Sequence, residues 1–185
     1  MTLTTTLALT VIGEDRPGLV NAIAEKTSEF GANWLDTRFV SLGGKFAGIV
    51  LVSVPRAKAD SLCGALQSLR SNSLSITFER RTDAAALAPA RALKLEVVSH
   101  DRPGIVREIA SLLAGNKISI EELGTDFVSG SFSGENLFKA RARLRAPLEL
   151  DVVVLRDMIE NLANELMADI SIDEEVTSQN GELCR

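Results

Sequence analysis

The sequence predicts an α+β protein made of two copies of one β-α-β-β-α-β unit. The segment Asp-Arg-Pro-Gly at residues 15–18 recurs at residues 101–104, an offset of 86 residues (101 − 15). Each segment follows an apolar run typical of a strand and precedes a spacing typical of a helix. Residues 37–41 are also echoed by residues 125–129, at an offset of 88. Such recurrence indicates an internal duplication, and we expect two small domains.

The first copy follows the order of the unit along its length. Residues 3–12 alternate between the two faces of a predicted strand. Asp15 is then expected to cap a helix that has Pro17 in its first turn and ends at Gly31. A hairpin, a helix and a last strand are predicted over residues 33–41, 45–54, 57–70 and 74–80.

The second copy repeats this order after a linker of small residues. We predict a first domain over residues 1–82, a linker over 83–91, a second domain over 92–175 and a polar tail over 176–185. The second domain is predicted to contain strand, helix, two strands, helix and strand over residues 92–99, 103–115, 118–128, 136–145, 149–168 and 169–175. This is the ferredoxin-like order, with antiparallel sheets that carry helices on one face.

The third strand of the first copy is apolar on both faces. Residues 49–52 read Ile-Val-Leu-Val, so side chains that point away from the helices are apolar as well. An exposed apolar patch of this kind is usually an interface. We therefore expect a homodimer, or else two domains that close tightly on each other.

The third strand of the second copy carries cations on one face instead. Lys139, Arg141, Arg143 and Arg145 alternate with apolar residues, so four positive charges share one side of the strand. Two interpretations stay open. The cations pair across strands with carboxylates, for which Glu96, Glu121 and Asp126 are the candidates, or they form a docking face for an acidic partner.

Composition and charge narrow the class of protein. Hydrophobic residues make up 45% and charged residues 24%, as in ordinary soluble proteins, and the net charge of −5 argues against general nucleic-acid or anionic-membrane binding. Cys63 and Cys184 are expected to be free thiols in a reducing compartment. There is no signal-peptide pattern and no apolar run that could span a bilayer. We expect a cytoplasmic protein.

The repeated loop is the candidate functional feature. A short loop that leads into a helix presents unpaired N–H groups and the positive end of the helix dipole, which suit a carboxylate. Gly18 and Gly104 have no Cβ, so a ligand can approach the backbone there. The same residue types also make a good helix start, so a purely structural loop is the alternative.

In its context this loop resembles that of the ACT domain. The resemblance rests on a strand, Asp-Arg-Pro-Gly-(Leu/Ile)-Val, a helix, and Gly-Ala-Asn at residues 31–33 opening the next strand. Two such units over residues 3–175, without a catalytic domain, resemble the family of the glycine cleavage system transcriptional repressor. The resemblance implies regulatory domains that bind amino acids and associate side by side. In ligand-binding ACT domains the site lies between the loop of one domain and a neighbouring domain.

Carried over by position, the resemblance implies one candidate site in each copy. The first consists of Asp15, Arg16, Gly18 and Asn33, and the second of Asp101, Arg102, Gly104 and Ser119. A serine offers fewer hydrogen bonds than an asparagine, so the first site is expected to be the better one. The two arginines either clamp a ligand carboxylate or are simply solvated. The resemblance implies a small amino acid as ligand, with glycine favoured, and a protein partner such as a transcription activator.

Other functions fit the sequence less well. Acylphosphatases share the ferredoxin-like fold and place a catalytic arginine in the first loop, but their longer glycine-rich cradle is missing here. The single histidine, His100, cannot form a metal site, and no P-loop or nucleotide-binding glycine pattern occurs. We therefore expect no enzyme activity, no cofactor and no direct nucleic-acid binding. A ligand-free ACT scaffold for oligomerisation remains the alternative function.

Overall fold

The computed structural model describes residues 3–69, 74–81, 89–129 and 136–174 of the 185-residue chain. The chain divides into two compact units, residues 1–85 and residues 86–185. Most of the predicted linker, the predicted tail and the tip of the second hairpin lie outside the described residues.

The first unit is a four-stranded antiparallel sheet with two helices. Its strands lie in the order β2-β3-β1-β4, so the two central strands are the first and third of the unit. A short 3-10 turn, Arg56–Lys58, leads into the second helix. The elements are β1 (Thr4–Glu14), α1 (Leu19–Glu29), β2 (Asn33–Leu42), β3 (Lys45–Pro55), α2 (Ala59–Gln67) and β4 (Leu74–Arg81).

The second unit repeats this arrangement with the strand order β6-β7-β5-β8. Its last helix begins after Asp151, whose side chain accepts a hydrogen bond from the Val153 N–H at 2.9 Å. The elements are β5 (Ala90–His100), α3 (Ile105–Gly115), β6 (Ser119–Ser129), β7 (Asn136–Pro147), α4 (Val152–Leu166) and β8 (Ala168–Glu174). The predicted fold class, two ferredoxin-like units in tandem, is confirmed.

Strand pairing aligns the two copies residue by residue and corrects one part of the sequence comparison. Phe39 lies opposite Gly48, and Thr125 lies opposite Ala140. The offset is therefore 86 through the second strand and becomes 92 only after the hairpin. The echo between residues 37–41 and 125–129 at an offset of 88 is wrong as a structural alignment, because the strand keeps the register set by its partner.

Each unit has one apolar core between its sheet and its helices. Alternate residues of the central strands point into it, as the period of a strand requires. In the first unit the fully buried members include Leu7, Leu9, Val50, Val52, Leu62 and Leu66. In the second they include Leu93, Val97, Leu113, Leu144 and Leu155. Within the described residues, the opposite face of each sheet carries no helix of its own unit, and we call it the open face.

Candidate functional site

The first loop (residues 15–18) ends at the N-terminus of α1. The helix is capped by Gly18, whose φ of 91° lies in the left-handed region, and no side chain accepts a hydrogen bond from its first turn. The expectation that Asp15 caps the helix with Pro17 in the first turn is therefore wrong, since both residues precede Gly18. Only glycine adopts such a φ without strain, which explains the glycine that ends the motif.

Asp15 is bound to the tip of the first hairpin instead. Its N–H donates to the Gly44 carbonyl oxygen at 2.9 Å, and its carboxylate accepts a hydrogen bond from the Ser41 hydroxyl. The carboxylate keeps free acceptor positions for a ligand, because it does not serve the helix. The sequence interpretation missed Ser41. The unit order contains the signal, since the ends of β1 and β2 both pair with the start of β3 and so lie at the same end of the sheet.

The space beside the first loop is open, and its arginine is not paired within the described residues. A Cβ built on Gly18 would meet no heavy atom within 4 Å. Arg16 is exposed and, within the described residues, forms neither a hydrogen bond nor an ion pair. The first turn of α1 contains no acidic residue. Free N–H groups, the helix dipole and an unpaired guanidinium together suit a carboxylate.

The second loop (residues 101–104) has the same backbone but is occupied by its own chain. Gly104 caps α3 with a φ of 102°, and the Asp101 N–H donates to the Asn136 carbonyl oxygen at 3.2 Å. Arg102 is paired with Glu108 in the first turn of the helix, with Nη2 and Oε2 3.0 Å apart. The other carboxylate oxygen of Glu108 would lie 3.4 Å from a Cβ on Gly104. An internal carboxylate thus stands where the first loop is open.

The two loops differ at two positions that the sequence interpretation did not single out. Glu108 of the second copy corresponds to Ala22 of the first, so Arg16 has no carboxylate at that place. Ser41, which holds Asp15, corresponds in register to Phe127. A comparison of the aligned repeats finds both differences once the offset of 86 is kept through the second strand.

Asn33 and Ser119 do not meet the loop of their own domain. Asn33 opens β2 opposite Ser53, which lies opposite Thr6 on β1. The loop follows the far end of β1, about 25 Å away along the strand at about 3.3 Å per residue. Ser119 opens β6 in the same way. A site that uses both a loop and a strand-opening residue therefore needs two domains.

Asn33 instead lies at an open groove between α1 and the start of β2. The groove is also lined by Val20, Ala24, Thr27 and Trp34. The Trp34 indole N–H donates to the Thr27 hydroxyl at 2.8 Å, and that hydroxyl donates to the Ala24 carbonyl oxygen at 2.9 Å. These bonds satisfy the buried threonine and fix the indole, so Trp34 is a packing residue.

The remaining candidates offer no further chemistry. Burial raises the pKa of the Cys63 thiol, with a smaller contribution from Asp60 that Arg80 opposes, so this cysteine is a poor nucleophile. His100 lies exposed at the end of β5. Among the described residues, no three His, Cys, Asp or Glu side chains are grouped to hold a metal ion. None of the helices in the described ranges has the length and apolarity needed to cross a membrane.

The four cations on β7 lie on the open face of the second sheet, and three of them pair with carboxylates. Arg141 pairs with Glu96 and Asp126, Arg143 with Glu121 and Glu122, and Arg145 with Glu121, at distances of 3.2 to 4.0 Å. Of the two interpretations, cross-strand pairing is the one that the structure supports.

Comparisons with known proteins agree with this architecture. The ACT domain family model matches residues 5–79, within the first unit. The chain is 30% identical over 182 residues to the glycine cleavage system transcriptional repressor of Escherichia coli K12, covering 95% of this chain and 93% of the relative. A crystal structure of an unknown protein from Galdieria sulphuraria matches 94% of this chain and 100% of its own, with a TM-score of 0.85 and 29% identity.

A second crystal structure, named as a candidate glycine cleavage system transcriptional repressor, shares the fold. It matches 94% of this chain and 98% of its own, with a TM-score of 0.69 and 21% identity. The identity and coverage of the Escherichia coli relative decide the family. The chain belongs to the family of the glycine cleavage system transcriptional repressor and consists of two ACT domains in tandem.

Proposed function

We propose that this chain is a non-enzymatic regulator that binds a small amino acid, glycine, at the first loop. The observation that carries the proposal is the open N-terminus of α1, with Gly18 uncovered and Arg16 unpaired within the described residues. Membership of a family named for glycine cleavage favours glycine as the ligand and gene regulation as the role.

The polar groups at the loop match the two charges of an amino acid. The N–H groups of the first helical turn and the Arg16 guanidinium donate hydrogen bonds to its carboxylate. The Asp15 carboxylate, held in place by Ser41, takes the ammonium group. A neighbouring ACT domain supplies Asn33 from the start of its second strand, since the Asn33 of the same domain lies too far away. Glycine has no side chain that the backbone at Gly18 would have to accommodate.

A protein partner, such as a transcription activator, receives the signal. The net charge of −5 argues against direct binding to DNA as the source of regulation. Because regulation then requires contact with another protein, ligand binding at the loop and partner binding elsewhere on the chain are separate properties. They can be measured separately.

The repeat provides a matched control for the test. Calorimetry with glycine on the parent, Arg16→Ala and Arg102→Ala compares an unpaired arginine with its paired equivalent. One hydrogen bond to a charged ligand contributes about 1.5–3 kcal/mol, so Arg16→Ala should weaken binding more than about tenfold. Arg102→Ala should leave the affinity unchanged. Asn33→Ala should weaken binding about as much as Arg16→Ala.

Gly18→Val is a less clean test than these. A valine at a φ of 91° is strained whatever space surrounds it, so a loss of binding would mix strain with obstruction. If the parent shows no heat with glycine, or if Arg102→Ala weakens binding as much as Arg16→Ala, the first loop is not a glycine site. The ligand-free scaffold would then be the better account of the chain.

The second domain, unlike the first, fits the role of a ligand-free interaction scaffold. Its helix N-terminus is already occupied by the Arg102–Glu108 pair, which leaves no open anion site at that loop. We propose that the first domain senses the ligand and that the second serves interaction. The stoichiometry of ligand binding distinguishes this division from two equal sensors.

A further inference from the structure

The open face of the first sheet has an apolar centre. Strand pairing places Ile12, Val40 and Ala47 in one row and Ile49 in the next row, opposite Thr10. Ile12, Ile49 and Val40 are 54%, 53% and 56% exposed, so the described residues of this unit leave them largely uncovered. A cluster of large branched apolar side chains on a sheet face exposed to solvent is typical of an interface.

The charges of this face lie around that centre and cancel. The pairing registers place Glu14, Asp36 and Glu79 on it, together with Arg38, Lys45 and Arg81. Three acids and three bases leave the rim with no net charge. A second copy of the same face can therefore approach without net repulsion, and the rim can form ion pairs in either orientation.

The equivalent face of the second domain is chemically unsuited to cover this one. Where β3 presents Ala47, Ile49 and Leu51, β7 presents Lys139, Arg141 and Arg143. With the carboxylates that pair with them, these side chains form a lattice of charges. An apolar sheet packed against it would strip water from charges that it cannot hydrogen-bond, at several kcal/mol per ion.

We propose that the open face of the first sheet is a homodimer interface, covered by the same face of a second copy of this chain. A two-fold contact uses the same surface patch on both copies, so the apolar centre of one copy packs against the apolar centre of the other. Four strands spaced about 4.8 Å apart and eight residues long give a face of about 500 Å². Two such faces reach about 1,000 Å², the size at which specific interfaces begin.

This contact differs from side-by-side association at strand edges and does not depend on a ligand. It uses the face of the sheet, whereas the first loop lies at the end of β1. The dimer should therefore form with or without glycine. The proposed glycine site takes Asn33 from a second copy through a different contact, so sedimentation without glycine tests this interface and calorimetry tests the site.

The test uses the residue that the second domain carries at the same place. Ile49→Arg puts into the first sheet the side chain found at Arg141, and Ile12→Arg places a second test arginine one row away, where the second domain has Val98. Leu148→Arg is the control, because Leu148 is 51% exposed but lies outside both open faces. Sedimentation equilibrium of the full chain at micromolar concentration gives the mass, and Trp34 fluorescence confirms that each variant is folded.

The parent and Leu148→Arg should sediment at about twice the monomer mass of 19.9 kDa. Ile49→Arg and Ile12→Arg should weaken dimerisation at least about a hundredfold, because a buried charge would lack a partner. Two variants, both at exposed positions, are used so that the test still stands if one of them fails to fold. A monomeric parent, or a folded Ile49→Arg or Ile12→Arg protein that dimerises as the parent does, overturns the proposal.

Discussion

The open faces of the two sheets are built on the same strands and have opposite chemistry. On the first, Ile49 and Leu51 lie beside Ala8 and Thr10; on the second, Arg141 and Arg143 occupy the places of Ile49 and Leu51. The core faces of both sheets remain apolar. Duplication thus preserves the side of a sheet that packs on helices, while the outward side is free to acquire a separate role.

The N-termini of α1 and α3 also share a backbone conformation and differ in their side chains. Gly18 and Gly104 keep the same left-handed backbone. The side chains around them differ. Arg102 is paired with Glu108, whereas the first domain has Ala22 at the position aligned with Glu108. Backbone conformation at a loop is dictated by the fold, and charge placement decides whether the loop is open to a ligand.

The largest expected effect concerns the side of each sheet that faces its helices. In the first domain the rings of Phe39 and Phe46 pack with centroids 4.8 Å apart, above fully buried Val50. In the second domain Thr125 and Ala142 take the places of Phe39 and Val50, and an apolar cleft opens between α3 and β6. Val50→Ala should lower the free energy of unfolding of the first domain by about 2 kcal/mol.

Trp34 is the only tryptophan, so its fluorescence during urea unfolding reports on the first domain alone. Ala142→Val is the matched change in the second domain, where it should fill the cleft and leave stability unchanged or raise it by about 1 kcal/mol. Amide hydrogen exchange measures that domain. A larger loss from Ala142→Val than from Val50→Ala would mean that the second core is already fully packed.

Buried hydroxyl groups provide a second contrast. Thr27 is hydrogen-bonded to Trp34 and Ala24, whereas the hydroxyl of buried Ser99 has no partner within the described residues. Ser99→Ala should raise the free energy of unfolding of the second domain by about 1 kcal/mol. Thr27→Ala should lower that of the first domain by about 1–1.5 kcal/mol. Loss of stability in Ser99→Ala, measured by hydrogen exchange, would show that its hydroxyl is satisfied.

The ends of the first helices offer a smaller effect. Both helices end in a residue with positive φ, Gly31 at 68° and Lys117 at 57°. Because a side chain disfavours this region, Lys117→Gly should stabilise the second domain by about 0.5–1 kcal/mol. Gly31→Ala should destabilise the first domain by a similar amount, measured as a shift in the urea midpoint of Trp34 fluorescence. Equal midpoints for Gly31→Ala and the parent would contradict this account.

The smallest effect comes from the charge lattice. The hydrogen bond from Lys94, and then its positive charge, lower the pKa of the Glu96 carboxyl from its usual value of 4.5; desolvation opposes this, and Arg141 adds a smaller lowering. A lowered pKa in the folded state means that the ionised group stabilises the fold above pH 4.5 and that this is lost as the pH falls through the lowered pKa. Acid should therefore weaken the second domain through this group.

Glu96→Gln should remove that part of the pH dependence, seen by hydrogen exchange of the second domain between neutral and acid pH. The first domain has Thr10 at the aligned position and serves as the internal control. High salt should reproduce part of the destabilisation that acid causes, because exposed ion pairs are screened by salt. An unchanged acid response in Glu96→Gln would assign the sensitivity to other carboxylates.

The framework of both domains could be predicted from the sequence because it depends on local signals. Alternation of apolar and polar residues predicts the strands, and Gly31 predicts the end of the first helix. The helix end is confirmed by the hydrogen bond that the Ala32 N–H donates to the Thr27 carbonyl oxygen at 2.9 Å. The cap of α1 could not be read in this way. Asp15 is a good cap residue, but the hairpin tip offers it both a backbone acceptor and Ser41.

The candidate site was harder to predict than the fold because it depends on contacts between distant segments. Local resemblance placed residues 125–129 two positions out of register, since only strand pairing fixes the alignment. The pairing of Arg102 with Glu108 depends on side-chain direction at the helix start. The distance between Asn33 and its own loop follows from the topology of the sheet, which a carry-over by sequence position does not take into account.

The stoichiometry of glycine binding tests the division between the two domains most directly. Titration calorimetry on the parent should give one glycine per chain, because Glu108 occupies the second loop. Glu108→Ala should release Arg102 and open a second site, giving two glycines per chain, while Ala22→Glu should abolish binding at the first. Two glycines bound by the parent, or one bound by Ala22→Glu, would contradict the account.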